Sequence, residues 1–255
     1  MRTNDNGLNI TDIYDPATGV TLEQQFFDLS SGSSAFDFEF RSLVNDSTGA
    51  LTYRITQYDN DLLEEQLFNS DSEVTYQLLI DNSFDGSSFT YDSIEEFYES
   101  DGTGMVLRSR STLNDATENF VSVQEFFDET GAFDYSISTR GNGLVRIEGS
   151  NDDQTIEATS ATEVIVGRGG TDTFVFAGDI GDTYINAFDN VDSDLLDLTA
   201  YGIDSRDALE DAGALTYDAG NGQHIIDVSQ IGGDGMIYLR GTQDADLNND
   251  DFIFL

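Results

Sequence analysis

One glycine-rich nonapeptide combines residue types and spacing that suit metal binding. Residues 167–175 read GRGGTDTFV, which follows the calcium repeat G-G-x-G-x-D-x-U-x with Arg in the second place. The glycines, Gly167 and Gly169 among them, let the backbone turn tightly and direct carbonyl oxygens to one point, and Asp172 adds a carboxylate oxygen. Hard oxygen ligands in a flexible loop favour Ca²⁺ over Mg²⁺ or Zn²⁺. The alternative is that Asp172 caps a turn between ordinary strands.

Three more nonapeptides precede this segment in the same register. From residue 140 they read RGNGLVRIE, GSNDDQTIE and ATSATEVIV. The eighth places of the four repeats hold large apolar residues, namely Ile147, Ile156, Ile165 and Phe174. Neither a helix nor a flat strand has a nine-residue period, whereas a parallel β-roll does. The pattern therefore predicts a short parallel roll whose interior these four residues fill.

The roll geometry predicts which loops share an ion. With two nonapeptides per turn, loops two repeats apart stack, so GSNDDQ should lie beside GRGGTD. This places Asn151, Asp152 and Asp153 near Asp172. The other repeats carry Val145, Gln154 and Glu163 at the place of Asp172. We therefore expect one good calcium site and at most two poor ones.

The sequence from residue 167 onward resembles a known family, the secreted RTX-type calcium-binding proteins of Gram-negative bacteria. The similarity is to the C-terminal module behind serralysin-type proteases. GRGGTDTFVF resembles its last nonapeptide and following strand. GDTYI, at 181–185, resembles a Gly-Asp-x-Ile segment shifted by one residue, and DLLDLTAYG, at 194–202, resembles a further motif. LTYDAGNGQHIIDV, GDGMIYLRG and DADLNNDDFIFL resemble its closing hairpins and terminal strand.

The resemblance implies a cofactor, a route of export and a location. Ca²⁺ is the expected cofactor, and the acidic residues of the resembling segments, Asp182, Asp194 and Asp197, join the candidate ligands. Proteins of this family leave the cell unfolded through a type I channel by an uncleaved C-terminal signal. The first residues contain no apolar signal segment, which fits that route. The expected location is extracellular or at the cell surface.

The first half of the chain predicts repeated β-hairpins. An Asp or Asn precedes a tight turn and an alternating strand at five places, Asp15, Asp46, Asn69, Asp101 and Asp128. The overall fold class is therefore all-β, with an antiparallel meander over 1–139, a short roll over 140–176 and a C-terminal β module over 177–255. Unrelated turns in an ordinary sandwich are the alternative for the first half. Short helices are predicted at 61–68, 93–99 and 204–211.

Composition excludes several classes of function. The 255 residues contain 50 acidic and 10 basic side chains and carry a formal charge of −40. Such a chain does not bind nucleic acid by neutralising phosphates, and it does not anchor to an anionic membrane. Its 38% hydrophobic content nevertheless predicts a folded core. No segment is long and apolar enough to span a membrane.

The residues for most kinds of catalysis are absent from the sequence. There is no Cys, no Lys, no zinc-protease motif and one histidine, His224, which we expect to face solvent on a strand. Carboxylate pairs for glycoside hydrolysis would have to come from Glu64–Glu65, Glu95–Glu96 or Glu125. With so many acidic residues such adjacency is expected without function, so we predict no enzyme activity. Arg108 and Arg110 would share one strand face and form salt bridges within the sheet; pairing with carboxylates of another subunit is the alternative.

These observations predict a secreted, calcium-binding structural or adhesive protein of the bacterial exterior, such as a surface-layer, matrix or filament subunit. The expected partner is a second copy of the chain, in an oligomer or polymer, because repeated hairpins offer sheet edges for association. A module that binds a glycan or host surface is one alternative. An accessory domain for a separately encoded secreted enzyme is another.

Overall fold

The chain folds almost entirely as β-structure, as its sequence predicts. A computed structural model describes residues 2–3, 7–29, 36–83, 89–115, 120–186, 188, 194–242 and 247–255. It divides into two compact units, residues 1–132 and 133–255. The boundary between the units precedes the predicted one at 139, because the strand that follows Ala132 pairs with the first strand of the roll. Over these residues no helix is long and apolar enough to cross a membrane.

The first unit is an antiparallel meander in which each strand pairs with the next one along the chain. Its strands are β1 (Arg2–Thr3), β2 (Leu8–Tyr14), β3 (Thr21–Asp28), β4 (Phe38–Asn45), β5 (Leu51–Tyr58), β6 (Leu62–Phe68), β7 (Val74–Asp81), β8 (Ser93–Ser100), β9 (Met105–Asp115) and β10 (Phe120–Phe127).

The five predicted hairpin turns lie at one end of this meander, because they follow every second strand. Each is closed by the side chain of its Asp or Asn, which accepts hydrogen bonds from backbone N–H groups ahead of it. At Asp46, the bonds come from Thr48 N and Ala50 N at 2.7 and 3.0 Å. A hydrogen bond from the Thr48 hydroxyl, together with these backbone bonds, lowers the pKa of Asp46. The carboxylates of the turns thus have partners without any basic residue.

The first unit buries polar side chains more than apolar ones. Among the described residues, its buried hydrophobic side chains are Leu8 and Phe38. The buried polar residues are Ser42, Thr56, Glu64, Gln66 and Glu96. Cross-strand bonds satisfy several of them, including Gln66 Nε2 to Gln77 Oε1 at 2.7 Å and Arg110 Nε to Glu96 Oε1 at 2.8 Å. Pairs of side chains on adjacent strands therefore stabilise the first unit, in which few apolar side chains are buried.

Two of the three predicted helices are wrong. The segments 61–68 and 93–99 form β6 and β8. Leu and Glu favour helices in isolation, but each segment lies between two strands whose backbone groups and side chains it pairs with, and this tertiary setting overrides propensity. The third prediction is confirmed as the short helix α1 (Arg206–Asp211), whose N-cap Ser205 accepts a bond from Ala208 N.

The second unit contains the predicted parallel roll and extends it beyond the nonapeptides. Its strands are β11 (Phe133–Arg140), β12 (Val145–Glu148), β13 (Thr155–Glu157), β14 (Glu163–Val166), β15 (Thr173–Val175), β16 (Asp179–Asn186), β17 (Leu195–Asp197), β18 (Leu215–Asp218), β19 (Gln223–Asp227), β20 (Asp234–Arg240) and β21 (Phe252–Ile253). Short 3₁₀ turns lie at Thr199–Tyr201, Val228–Ile231 and Asn249–Asp251.

Successive strands of the roll alternate between two parallel sheets. We call the sheet of β12, β14, β16 and β20 sheet I, and the sheet of β13, β15, β17 and β21 sheet II. In sheet I, β11 and β19 pair antiparallel with the terminal strands β12 and β20, and β18 pairs with β19. Each coil of the roll has one strand in sheet I and the next in sheet II, so the coils are β12–β13, β14–β15, β16–β17 and β20–β21. The chain from α1 through β19 is therefore an insertion between the third and fourth coils.

Two columns of apolar side chains fill the roll. The in-register residues are Ile147, Ile165, Ile185 and Leu239 in sheet I, and Ile156, Phe174, Leu196 and Phe252 in sheet II. All eight are buried and belong to one hydrophobic cluster, whose buried members all come from the second unit. The predicted interior places of the four nonapeptides are confirmed. The folded core that composition predicts thus lies in this unit.

A matched pair of glycines tests the turn geometry of the first unit. Gly102 has a φ of +89°, whereas Gly104, in the same turn, does not have a positive φ. A Cβ atom on either residue would have no atom within 4 Å. We expect Gly102→Ala to destabilise the first unit by about 1–2 kcal/mol, because a side chain is strained at positive φ. Gly104→Ala should change stability by less than about 0.5 kcal/mol. Equal effects in urea unfolding would contradict the turn assignment.

Candidate metal centre

The loops that were predicted to stack lie directly against each other. The main chain of 149–154 packs on that of 167–172, since a Cβ on Gly170 would lie 2.7 Å from the carbonyl carbon of Asp152. A Cβ on Gly169 would lie 3.6 Å from Asn151 Oδ1. Thr171 N donates to Asp153 Oδ1 at 2.7 Å. The stacking of GSNDDQ on GRGGTD is therefore as the sequence pattern predicts.

Asp172 is the most buried carboxylate of these loops. Its side chain folds back over Gly167, where a Cβ would overlap Asp172 Oδ2. Asp172 Oδ1 accepts from Gln154 N at 3.1 Å, and Asp172 N donates to Asp194 Oδ1 at 3.0 Å. Burial first, then the negative charges of Asp194 and Asp153, raise its pKa to about 6. Three carboxylates from successive coils thus lie on one side of the roll.

Carboxylate oxygens such as these are the donors that a hard divalent cation prefers. Asp172 and Asp194 are buried, and no arginine of the described residues forms an ion pair with Asp172. A buried anion without a counter-charge is unfavourable, and a cation would remove that cost. Across the described part of the chain, however, no three His, Cys, Asp or Glu side chains are grouped closely enough to hold a metal by themselves. Backbone oxygens would have to complete the shell.

Two candidate ligands lie away from this side of the roll. Asp182 is an exposed residue of β16 opposite Met236. Asp197 ends β17, and its Oδ1 accepts from Thr199 N at 2.9 Å and from Thr199 Oγ1 at 2.7 Å. Asp197 thus closes the turn that follows its strand.

The acidic or amide residues at the sixth place of the other repeats close their loops with hydrogen bonds. Gln154 Oε1 accepts from Ser150 N at 3.0 Å, and its Nε2 donates to the Asp134 carbonyl at 2.8 Å. Glu163 is fully buried and accepts from Thr159 N at 2.9 Å, Thr159 Oγ1 at 2.8 Å and Thr183 Oγ1 at 3.0 Å. Burial raises the pKa of Glu163. The place of the motif Asp can therefore be taken by a neutral amide, as in Gln154, or by a buried acid that accepts bonds from hydroxyl groups, as in Glu163.

His224 does not face solvent as predicted. It is buried on β19, with Nδ1 3.0 Å from Thr242 Oγ1 and its ring 5.0 Å from that of Tyr217. His224 and Ile226 alternate with more exposed residues along β19, and β19 pairs side by side with β20 in the same sheet. The burial of His224 could not be predicted from its alternating pattern, because residues of a solvent-exposed hairpin alternate in the same way.

The carboxylates considered for hydrolysis are placed by strand alternation and arginine. Glu64 lies opposite Thr56, whereas Glu65 lies opposite Ile55, so the neighbouring carboxylates point to opposite faces. Glu95 and Glu96 are separated in the same way. Arg110 binds Glu96 and Glu125 at 2.8 and 3.4 Å. The salt bridges expected within the sheet are present.

Arg108 pairs elsewhere, with Glu99 at 3.2 Å. The pairing of β8 with β9 shifts between Phe97 and Tyr98, where Phe97 lies opposite Ser109 and Tyr98 lies opposite Leu107. Arg108 therefore has no directly opposite residue in this register and does not follow the simple pattern expected for it and Arg110.

A second group was not predicted because it forms across the insertion. The parallel pairing of β16 with β20 brings Tyr184 beside Tyr238, with ring centroids 4.6 Å apart and planes inclined by 11°. Arg240 lies over the Tyr184 ring at 4.2 Å. With Asn221 and Gln223 these residues line an open cavity of about 440 Å³. Widely separated sequence positions carry no signal for such a cluster.

Comparison with known proteins adds no family assignment. The sequence matches no protein-family model, and it matches no curated protein.

The close loop packing predicts unequal effects of alanine at two adjacent glycines. Gly170 has φ +95° and no room for a Cβ beside Asp152, whereas Gly169 has ordinary contacts. We expect Gly170→Ala to reduce the stability of the roll by about 2 kcal/mol or more through strain and overlap. Gly169→Ala should cost less than about 0.5 kcal/mol. Hydrogen exchange of roll amides measures both; similar protection in the two variants would refute the stacking.

Proposed function

We propose that this chain is a calcium-stabilised structural or adhesive protein of the bacterial exterior that folds on binding Ca²⁺ after type I export. The observation that carries the proposal is the burial of Asp172 beside Asp194 in stacked loops, where added negative charge raises its pKa. Asp153, Asp172 and Asp194, with carbonyl oxygens of Gly167 and Gly169, would hold the ion. When bound, Ca²⁺ neutralises these carboxylates and links successive coils.

The concentration dependence of calcium binding links the ion to the location. Extracellular modules bind Ca²⁺ with dissociation constants of about 10⁻⁴ to 10⁻³ M. A site of that affinity is empty at cytosolic concentrations and filled outside the cell. An ion that binds only the folded state then stabilises it after export. Bound Ca²⁺ would also stabilise the folded state by reducing the repulsion among the acidic residues of a chain whose net charge is −40.

The surface of the first unit supports a structural or adhesive role. Strand register places five exposed large apolar side chains on one face of the meander, Ile13, Phe27, Leu67, Phe97 and Leu113. Exposed apolar side chains that share one face can mark a site of association. We propose that this face contributes to contacts between copies of the chain, in an oligomer or polymer at the cell surface.

Calcium should raise the melting temperature of the wild-type protein. At ten times its dissociation constant, one site adds about 1.4 kcal/mol to the folded state. We expect Asp172→Asn to abolish this gain, because it removes the buried charge while keeping the shape. Asp182→Asn is the matched control, since Asp182 is exposed on β16 and should leave the calcium response intact. Calorimetry with calcium and with chelator measures each variant; a wild-type melting temperature unmoved by chelator would refute the metal centre.

The pH dependence provides a second readout of the same site. The pKa of Asp172 is about 6 in the folded protein against 3.8 ordinarily. Its contribution to stability is therefore fully present below about pH 4 and is lost as pH rises through 6. We expect the calcium-free protein to lose stability over this range and calcium to stabilise more at pH 7.5 than at pH 5. An equal calcium effect at both values would assign the ion to other carboxylates.

A glycan-binding module is the second candidate function, and the cavity beside Tyr184, Tyr238 and Arg240 favours it. Aromatic, guanidinium and amide groups together suit a polar, hydroxyl-rich ligand. Negative-stain microscopy with millimolar Ca²⁺ should show ordered polymers if the structural role holds. Monodisperse particles that are retained on polysaccharide beads, with retention lost in Arg240→Ala, would favour the binder instead.

A further inference from the structure

The two sheets of the roll end differently beside the first coil. In sheet I, β11 pairs with β12, and Ile137 lies opposite Ile147, so the apolar column continues by one more residue. In sheet II, β13 is the terminal strand, and over the described residues it pairs with β15 alone. The column that runs through Phe174 therefore ends at Ile156. One strand position next to β13 is thus open while the matching position in sheet I is filled.

The backbone of β13 directs hydrogen-bonding groups to this open position. Thr173 N donates to the Gln154 carbonyl at 2.7 Å, and Ala158 N donates to the Val175 carbonyl at 2.9 Å. In a parallel pair, alternate residues face the partner strand, so Gln154, Ile156 and Ala158 face β15. The N–H and C=O groups of Thr155 and Glu157 consequently face away from β15. Both side chains are exposed, and the edge has the geometry to accept another strand.

A groove runs along this edge. It has a volume of about 600 Å³. Ile137, Ile147, Ile156 and Ala158 provide its apolar lining. Its polar lining includes three acidic residues, Asp134, Asp153 and Glu157, and no basic residue is among the described side chains that line it. Burial first, and then the negative charges of Asp134 and Glu157, raise the pKa of the groove residue Tyr135.

We infer that the edge of β13 binds an extended, cationic peptide segment of a partner protein by adding it as a strand to sheet II. Backbone groups of Thr155 and Glu157 pair with the segment, an apolar side chain extends the column over Ile156, and basic side chains meet the acidic rim. A second copy of this chain is the less suitable occupant, because it has 50 acidic residues against 10 basic ones. The inference does not require the proposed calcium site, because Asp134 and Glu157 of the rim are not among the proposed ligands.

The probe is a synthetic heptapeptide in which Val alternates with Lys, titrated into the full-length protein at constant calcium. We expect binding that weakens with added salt, because the charges at the rim are screened. A heptapeptide with Glu in place of Lys should not bind. In the wild-type protein, the amide protons of Thr155 and Glu157 should become protected from exchange when the Lys peptide saturates the site. Unchanged exchange at both amides would overturn the inference without any variant.

A substitution in the strand edge provides the second arm. Thr155→Pro removes an N–H that faces away from β15, so the ladder to β15 is kept, and proline is tolerated at such edges. We expect it to weaken the Lys peptide by about tenfold or more. Thr155→Val keeps the N–H and should bind as the wild type does. Equal peptide affinity in the proline variant, at an unchanged melting temperature, would overturn the proposal.

Sedimentation of the protein alone distinguishes the partner from a copy. The chain should show no concentration-dependent association that is lost in Thr155→Pro. Association that the substitution abolishes would reassign the edge to self-pairing and overturn a cationic partner.

Discussion

The fold depends on hydrogen-bond partners for its carboxylates, because the chain has too few basic residues to neutralise them. The chain has 10 arginines and 50 acidic residues. Among the described residues, the carboxylates most often accept hydrogen bonds from backbone N–H groups and hydroxyl groups. In the meander, Asp46 and Asp101 each accept bonds from their own turns, which lowers their pKa. In the roll, Asp153 and Asp172 accept bonds from the neighbouring coil. The same chemistry that fixes local turns in one unit therefore fixes coil stacking in the other.

Local chemistry of this kind can be predicted from sequence. The five turns of the meander were identifiable because Asp or Asn side chains close them and four of them contain a glycine at positive φ. Ser72 takes that position in the fifth, with φ 63°. The coil register was also predictable, because Ile147 and Ile165 occupy the same place in repeats that contain no insertion. The neighbours of Asp172 among residues 149–154 followed from that register alone.

What sequence could not supply depends on partners that are distant in the chain. DLLEEQLF reads as a helix until β5 and β7 pair on both sides of it. The third and fourth coils lose the nonapeptide period, and an inserted helix and hairpin separate β17 from β20. For this reason the burial of His224 and the stacking of Tyr184 on Tyr238 have no signal in the sequence. Each is set by pairing with β20.

The apolar columns run through all four coils, whereas the glycine–aspartate loops do not. Leu239 and Phe252 continue both columns in the fourth coil, where no calcium repeat remains. Loops can then vary, provided their carboxylates find partners. Glu163 accepts three bonds from Thr159 and Thr183, so its side of the roll is stabilised by protein donors. On the opposite side, the charges of Asp153 and Asp194 act on Asp172 and raise its pKa. A cation therefore has most to contribute on that one side, and dependence of folding on an ion should be concentrated there.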